Sequence, residues 1–323
     1  VSALACAAFG ASHSAWLLLV CFAANGFAQS TGWPGTTRVV ADWTSAADRG
    51  RVMGVWSTCY QAGGIAATAL ATWLLGAFGW RAVFHVPASI LALVGALVWF
   101  GVPSGRSAVQ PSDRPAALRA VLRTKVIYCY GASYFCLKLI RYSLLFWLPF
   151  FLHTASGFDE LTSGYLSTAF EVGGVFGTIA IGYASDRSAR SRAFIALLSL
   201  LALGCAVFAY AATLGSSLLW HAAALALIGA LLFGPDALVS GAAAQDAGGP
   251  HAAATAVGVV NGLGSAGALL QGALTVGVQR AYGWSGVLYC FVGLAFFAAL
   301  LLVPALRVRS AGMQEAAASN DRR

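Results

Sequence analysis

The sequence predicts an all-α polytopic membrane protein built from two similar six-helix halves, and three observations predict it. Of 323 residues, 59% are hydrophobic and only 9% are Asp, Glu, Lys or Arg, whereas soluble domains carry roughly 25% charged residues. Apolar runs of the roughly 20 residues that cross a bilayer recur along the chain. Short sequences in the first third also return near the end at almost constant spacing. A water-soluble fold could not bury so much apolar surface; a bilayer accepts it if each segment satisfies its own backbone as a helix. The 37 glycines fit the same class, because glycine lets membrane helices approach closely.

The runs place spans near 13–41, 50–77, 80–102, 125–152, 161–184, 193–213, 217–245, 252–279 and 282–305. Residues 1–10 are apolar but too short to span, and read as the end of another helix. Charge then orients the spans. Fourteen Lys and Arg fall in alternate loops and the tail: Arg49 and Arg51; Arg106, Arg114, Arg119, Arg123 and Lys125; Arg187, Arg190 and Arg192; Arg307, Arg309, Arg322 and Arg323. Only Arg81 and Arg280 lie on the opposite side. The positive-inside rule assigns the rich side, with the C-terminus, to the cytoplasm. The net charge of +8 thus reflects topology, and no nucleic-acid partner is expected. The seven cysteines sit in apolar spans without a C-x-x-C pair and read as small hydrophobes.

The longest polar stretch, 103–124, is a cytoplasmic loop dividing a partial N-terminal bundle (1–102) from a C-terminal six-helix bundle (125–306), with a tail at 307–323. Repeats explain the imbalance. Gly79-Trp80-Arg81-Ala82-Val83 returns as Gly283-Trp284-Ser285-Gly286-Val287, an offset of 283 − 79 = 204. Gly32-Trp33-Pro34 is echoed by Phe233-Gly234-Pro235, an offset of 235 − 34 = 201. The helices at 125–213 have no counterparts at the front, and the chain starts at Val1 without a methionine or a basic leader. The expectation is that the first two helices and most of the third, about 80 residues by repeat spacing, precede this sequence.

Several motifs carry a family resemblance. Gly182-Tyr-Ala-Ser-Asp186-Arg187-Ser-Ala-Arg190 resembles the G-x-x-x-D-R-x-x-R loop signature of the major facilitator superfamily. There the glycine is expected to allow close helix approach, while the carboxylate and arginines pair across helix ends and bear on gating. More narrowly, Asn25-Gly26-Phe27-Ala28-Gln29-Ser30-Thr31-Gly32-Trp33-Pro34 resembles a run of the organophosphate:phosphate antiporters. So do Arg49-Gly50 with Trp56 and Gly63-Gly64, Lys138-Leu-Ile-Arg141-Tyr142 with Trp147-Leu148-Pro149, and Leu166 to Gly174. The resemblance is colinear over nearly the whole chain. It implies the major facilitator fold, alternating access, and exchange of an organophosphate such as a sugar or glycerol phosphate for inorganic phosphate by a monomer in the cell membrane of a bacterium. A sugar-phosphate sensor, or a carrier for another organic anion, is the alternative.

The site residues follow. Charge within a span usually marks a substrate or ion path. Lys138 and Arg141, at i and i+3, share a helix face; the arginine fork suits phosphate oxygens and the lysine adds a point charge. Glu171 is the expected counter-charge, and Asp236, after Pro235, is a further polar candidate. Trp33, Trp56 and Tyr60 match family positions near the substrate cavity. Arg38 and Asp42 read as an i,i+4 anchor pair. Tyr60 and Phe146 stand where the glycerol-phosphate branch carries histidine and aspartate, which weakens the case for glycerol-3-phosphate. The histidines, His221 among them, fall near span ends and read as interface residues. No nucleotide-binding, zinc-protease or serine-hydrolase motif is present, so no enzymatic activity, cofactor or metal is expected, and gradients must drive transport.

Overall fold

A computed structural model describes residues 1–29, 59–101, 114–188, 190–214 and 217–307. The chain divides after Gln110 into two compact units, and no strand occurs among the described residues.

The first unit contains α1 (Ser2–Ala11), α2 (Ala15–Gln29), α3 (Cys59–Phe78) and α4 (Ala82–Gly101). The predicted spans at 13–41 and 50–77 are therefore described only as far as α2 and α3. α1 packs on α2 and α4. The Phe9 and Phe84 rings lie 4.5 Å apart beside Gly10, whose hydrogen leaves room for Phe84. The Asn25 and Gln29 side chains of the N-G-x-x-Q run bond each other at 3.1 Å, and Ser2 donates to Asn25. That motif thus ties α2 to α1.

The second unit contains α5 (Arg114–Arg123), α6 (Lys125–Ser156), α7 (Glu160–Arg187), α8 (Arg192–Ala212) and α9 (Leu218–Ala237). They are followed by a π turn (Leu238–Ala242) and α10 (Ala243–Leu301). α5 lies in the stretch read as a loop. It is a short amphipathic helix that buries Val121 and leaves Arg119 and Arg123 exposed, and the loop reading missed it because its 10 residues, three of them Arg, are too few and too charged for a span. α10 is broken by left-handed glycines at Gly249 (φ 66°) and Gly283 (φ 70°). The piece before Gly249 finishes the predicted span at 217–245, and the two long pieces match the spans predicted at 252–279 and 282–305. Gly79, the repeat partner of Gly283, also has positive φ, at 79°. The repeated Gly-Trp is therefore one backbone device used twice, a left-handed residue at which one apolar helix stops and the next starts.

Six described helices have the length and composition of membrane spans, and the last of them, Ala252–Arg307, contains the break at Gly283. The protein is an integral membrane protein. Its second unit has a largely apolar core that also holds polar side chains, and it is apolar on the outside. Phe176, Ile179, Leu227, Leu269 and Phe297 face outward, while buried hydrogen bonds join helices inside. Ser133 donates to the Ala298 carbonyl at 3.0 Å, and Thr275 to Ser143 at 2.9 Å.

Two helix pairs dominate the packing, α6 with α10 and α7 with α9. Lipid offers no hydrophobic drive between helices, so close van der Waals fit must hold them. Along α7 and α9 the fit is backbone to backbone. A Cβ on Gly173 would overlap the Ala226 carbonyl, one on Gly177 the Ala230 carbonyl, and one on Gly229 the Phe170 carbonyl. Gly267 meets Phe135 in the same way where α10 crosses α6. These two crossings set the spacing of the charged residues described next.

Candidate functional site

Four formally charged side chains meet inside the second unit. Lys138 and Arg141 come from α6, Glu171 from α7 and Asp236 from the end of α9. Arg141 and Asp236 are both buried, and Nη1 of the arginine lies 2.8 Å from Oδ2 of the aspartate. The guanidinium also stacks on the Phe233 ring, 4.4 Å from its centroid. Lys138 is half-buried. It donates to the Ser265 hydroxyl at 3.1 Å and rests 5.0 Å from the centroid of the Tyr134 ring.

Asp236, rather than Glu171, is thus the carboxylate that Arg141 holds. Glu171 is buried within electrostatic range of Arg141, but its Oε2 has no hydrogen-bond partner. Helix geometry accounts for the difference. Phe170 and Gly174 sit at the α7–α9 crossing, whereas Asp236, in the last turn of α9, comes within hydrogen-bond distance of Arg141 on α6. Sequence spacing revealed that Lys138 and Arg141 share a face. It could not rank two carboxylates on different helices.

Where α9 ends, its regular pattern gives way to the π turn, a feature often found at functional sites. Asn261 of α10 braces the turn by donating Nδ2 to the Ser240 carbonyl at 3.4 Å. Nine residues after Lys138, Trp147 donates its indole N–H to Gln271 Oε1 at 3.2 Å. Asn261, Ser265 and Gln271 were not among the predicted site residues. Their signal was available, as three of the uncharged polar residues in one apolar span, two of them four apart.

Trp33, Trp56, Arg38 and Asp42 are outside the described residues, as is the side chain of Tyr60, whose backbone belongs to α3. In the gating motif, Arg187 stacks on Tyr183 at 4.2 Å and Arg190 on Phe194 at 4.3 Å, and the Asp186 side chain is outside the described residues. A Cβ on Gly182 would meet nothing within 4 Å among the described residues. A charge pair does join helix ends nearby: Arg192 Nε and Asp246 Oδ2 lie 3.0 Å apart. His221, read as an interface residue, is instead fully buried, with Nδ1 2.8 Å from the Tyr210 hydroxyl. A buried hydroxyl partner lets a ring at the end of a span turn inward.

Comparison with known proteins settles the family. The profile of the Major Facilitator Superfamily matches residues 1–272. The chain belongs to this superfamily, in its organophosphate:phosphate antiporter family. It is 30% identical to the mouse protein named sugar phosphate exchanger 3, covering 90% of this chain and 68% of that one. It is 32% identical to the Arabidopsis protein named putative glycerol-3-phosphate transporter 1, covering 91% and 64%. The chain spans about two thirds of the length of these relatives. Among solved structures, a bacterial homologue of the human lysosomal transporter Spinster, inward-facing and occupied, superposes with a TM-score of 0.71. Identity there is 16%, over 95% of this chain and 80% of that one, a likeness of fold alone.

Proposed function

We propose that this protein is a secondary transporter that exchanges an organophosphate, a sugar phosphate or glycerol phosphate, for inorganic phosphate by alternating access. The observation that carries the reading is the pair of cations on α6. A lysine and an arginine one turn apart, inside a span and tied to polar partners, are costly in a membrane unless an anion uses them. Arg141 supplies the planar fork that matches phosphate oxygens, and Lys138 supplies a movable charge. The family relatives named for sugar phosphate and glycerol-3-phosphate support the substrate class. The same reading makes the carrier a monomer of the cell membrane, bacterial in origin, with its C-terminus in the cytoplasm and gradients as the driving force. Glu171 and Asp236 act as counter-charges, and Tyr60, Trp56 and Trp33 line the organic moiety of the substrate. The Gly182–Arg190 motif takes part in gating.

The test is phosphate exchange by the intact protein in liposomes loaded with labelled phosphate, with external glucose 6-phosphate, glycerol 3-phosphate or phosphate as counter-substrate. Wild type exchanges at least one organophosphate. Arg141→Lys keeps the charge but loses the fork, and exchange falls by on the order of tenfold to a hundredfold, as expected for losing a hydrogen bond to a charged group worth about 1.5–3 kcal/mol. Lys138→Arg is milder, because a point charge has less geometry to lose. Unchanged exchange in Arg141→Ala would remove the assignment.

A further inference from the structure

The short helix α5 carries a surface that the proposed exchange does not use. We propose that α5, with the first turn of α6, is a docking site for the headgroups of anionic phospholipids in the protein's own membrane. The proposal does not depend on which anion the protein carries.

Three observations carry it. First, the charge is one-sided. Residues 103–125 hold Arg106, Arg114, Arg119, Arg123 and Lys125 against a single acidic residue, Asp113. Arg119, Arg123 and Lys125 are exposed, and neither of these two arginines has an ion-pair partner among the described residues. Second, α5 has three faces in sequence around its axis. α5 packs on α10 and buries Val121, whereas Leu118 and Leu122 are 43% and 45% exposed. Counting about 100° per residue from Val121, the leucines lie at about 60° and 100°, and Arg119 and Arg123 at about 160° and 200°. Protein, leucine and arginine thus follow one another, the order in which an interfacial helix meets protein, acyl chains and headgroups. Third, α5 is held where a span begins. It ends one residue before α6, which has the length and composition to cross a membrane. The Thr124 hydroxyl donates to the Ala120 carbonyl at 3.0 Å, and the Tyr128 hydroxyl of α6 donates to the Leu122 carbonyl at 2.9 Å. These bonds satisfy carbonyls in the last turn of α5 and fasten that turn to the start of the span. Tyr128 is itself exposed, and tyrosines at span ends gather at headgroup level. Arginines fixed at that level meet phosphate, whose oxygens suit the guanidinium fork. A zwitterionic headgroup brings its own ammonium, so the attraction favours anionic lipid. The leucines beside the arginines favour a lipid over a soluble acidic partner, which would leave them without an apolar neighbour.

The experiment measures melting of the purified intact protein in uncharged detergent, with phosphatidylglycerol or phosphatidylcholine of the same acyl chains added. Phosphatidylglycerol should raise the melting temperature at lower concentration than phosphatidylcholine, and about 1 M salt should narrow the difference. Arg119→Gln/Arg123→Gln should melt like wild type without lipid, because both side chains are exposed. It should need on the order of tenfold more phosphatidylglycerol for the same rise. Leu118→Ala/Leu122→Ala should respond more weakly to both lipids. Arg307→Gln/Arg309→Gln removes the same charge from the C-terminal tail and should keep the wild-type preference. Equal responses of wild type to the two lipids would overturn the proposal, as would an undiminished phosphatidylglycerol response in the α5 arginine variant. Equal loss of preference in the tail variant would make the attraction diffuse and remove the site. A full phosphatidylglycerol response in the leucine variant would assign the arginines to a soluble anion or an acidic protein instead of a lipid.

Discussion

Substituting Gly177 by alanine should damage this protein more than any surface change on α7, and the structure supplies the size. An added methyl would overlap the Ala230 carbonyl of α9. Because the obstacle is backbone, no rotamer change relieves it, and the two helices must part. Overpacking of this kind costs about 1–3 kcal/mol, and a backbone obstacle belongs at the upper end. The gain in helix propensity from Gly to Ala offsets up to about 1 kcal/mol, leaving a net loss of about 2 kcal/mol. Gly182 lies on the same helix, and among the described residues nothing comes within 4 Å of an added Cβ, so there the propensity gain is unopposed and alanine should be neutral or stabilising. The assay is the melting temperature of the purified protein. Gly177→Ala should melt several degrees below wild type and Gly182→Ala at or above it. The Gly173→Ala/Gly177→Ala double variant should lose less than the sum of the singles, since helices already parted for one methyl accept the second more cheaply. A Gly177→Ala protein that melts with or above wild type would refute the backbone-contact account of this crossing. Exchange should suffer beyond stability, because α7 carries Glu171 and α9 carries Asp236.

Two further outcomes can be checked by thermal melting. Asp159 caps α7 by accepting from the Thr162 amide at 3.1 Å, and hydrogen bonding from Thr162 holds its carboxyl below the usual aspartate value. A depressed folded-state value means a contribution fully present above the ordinary value of about 4 and lost as pH falls from there through the lower folded-state value. Asp159→Ala should therefore melt below wild type at neutral pH, with the gap closing in acid; a gap independent of pH would refute the charge-assisted cap. Arg192 and Asp246 form a half-buried pair at 3.0 Å. Asp246→Asn should cost about 1–2 kcal/mol and Arg192→Gln somewhat more, since Arg192 makes further contacts. A double variant that loses the full sum of both singles would show that the two side chains are not coupled.

The sequence by itself determined the class, the spans and the cations. Hydropathy is summed over some 20 residues and the bilayer fixes that length, so the α6, α7 and α8 spans are legible without contacts. The recurrence of Gly79-Trp80 as Gly283-Trp284 likewise marked two places where a helix must stop, because both glycines adopt positive φ. Lys138 and Arg141 were legible because i and i+3 share a face on any helix. What only the tertiary structure decided is which charge meets which. The sequence reading put Glu171 ahead of Asp236 as the counter-charge, but the choice depends on how α7, α9 and α6 cross, and Arg141 bonds Asp236. Those crossings are set by backbone contacts at Gly173, Gly177, Gly229 and Gly267, and a glycine in a sequence does not say which neighbour it admits. The partner of Ser265 was hidden for the same reason: its polarity shows in the sequence, but the α6–α10 crossing alone sets it 3.1 Å from a lysine. Charge and hydropathy are properties of residues and survive in the string. Pairing is a property of interhelical distance, and distance exists only once the helices have packed.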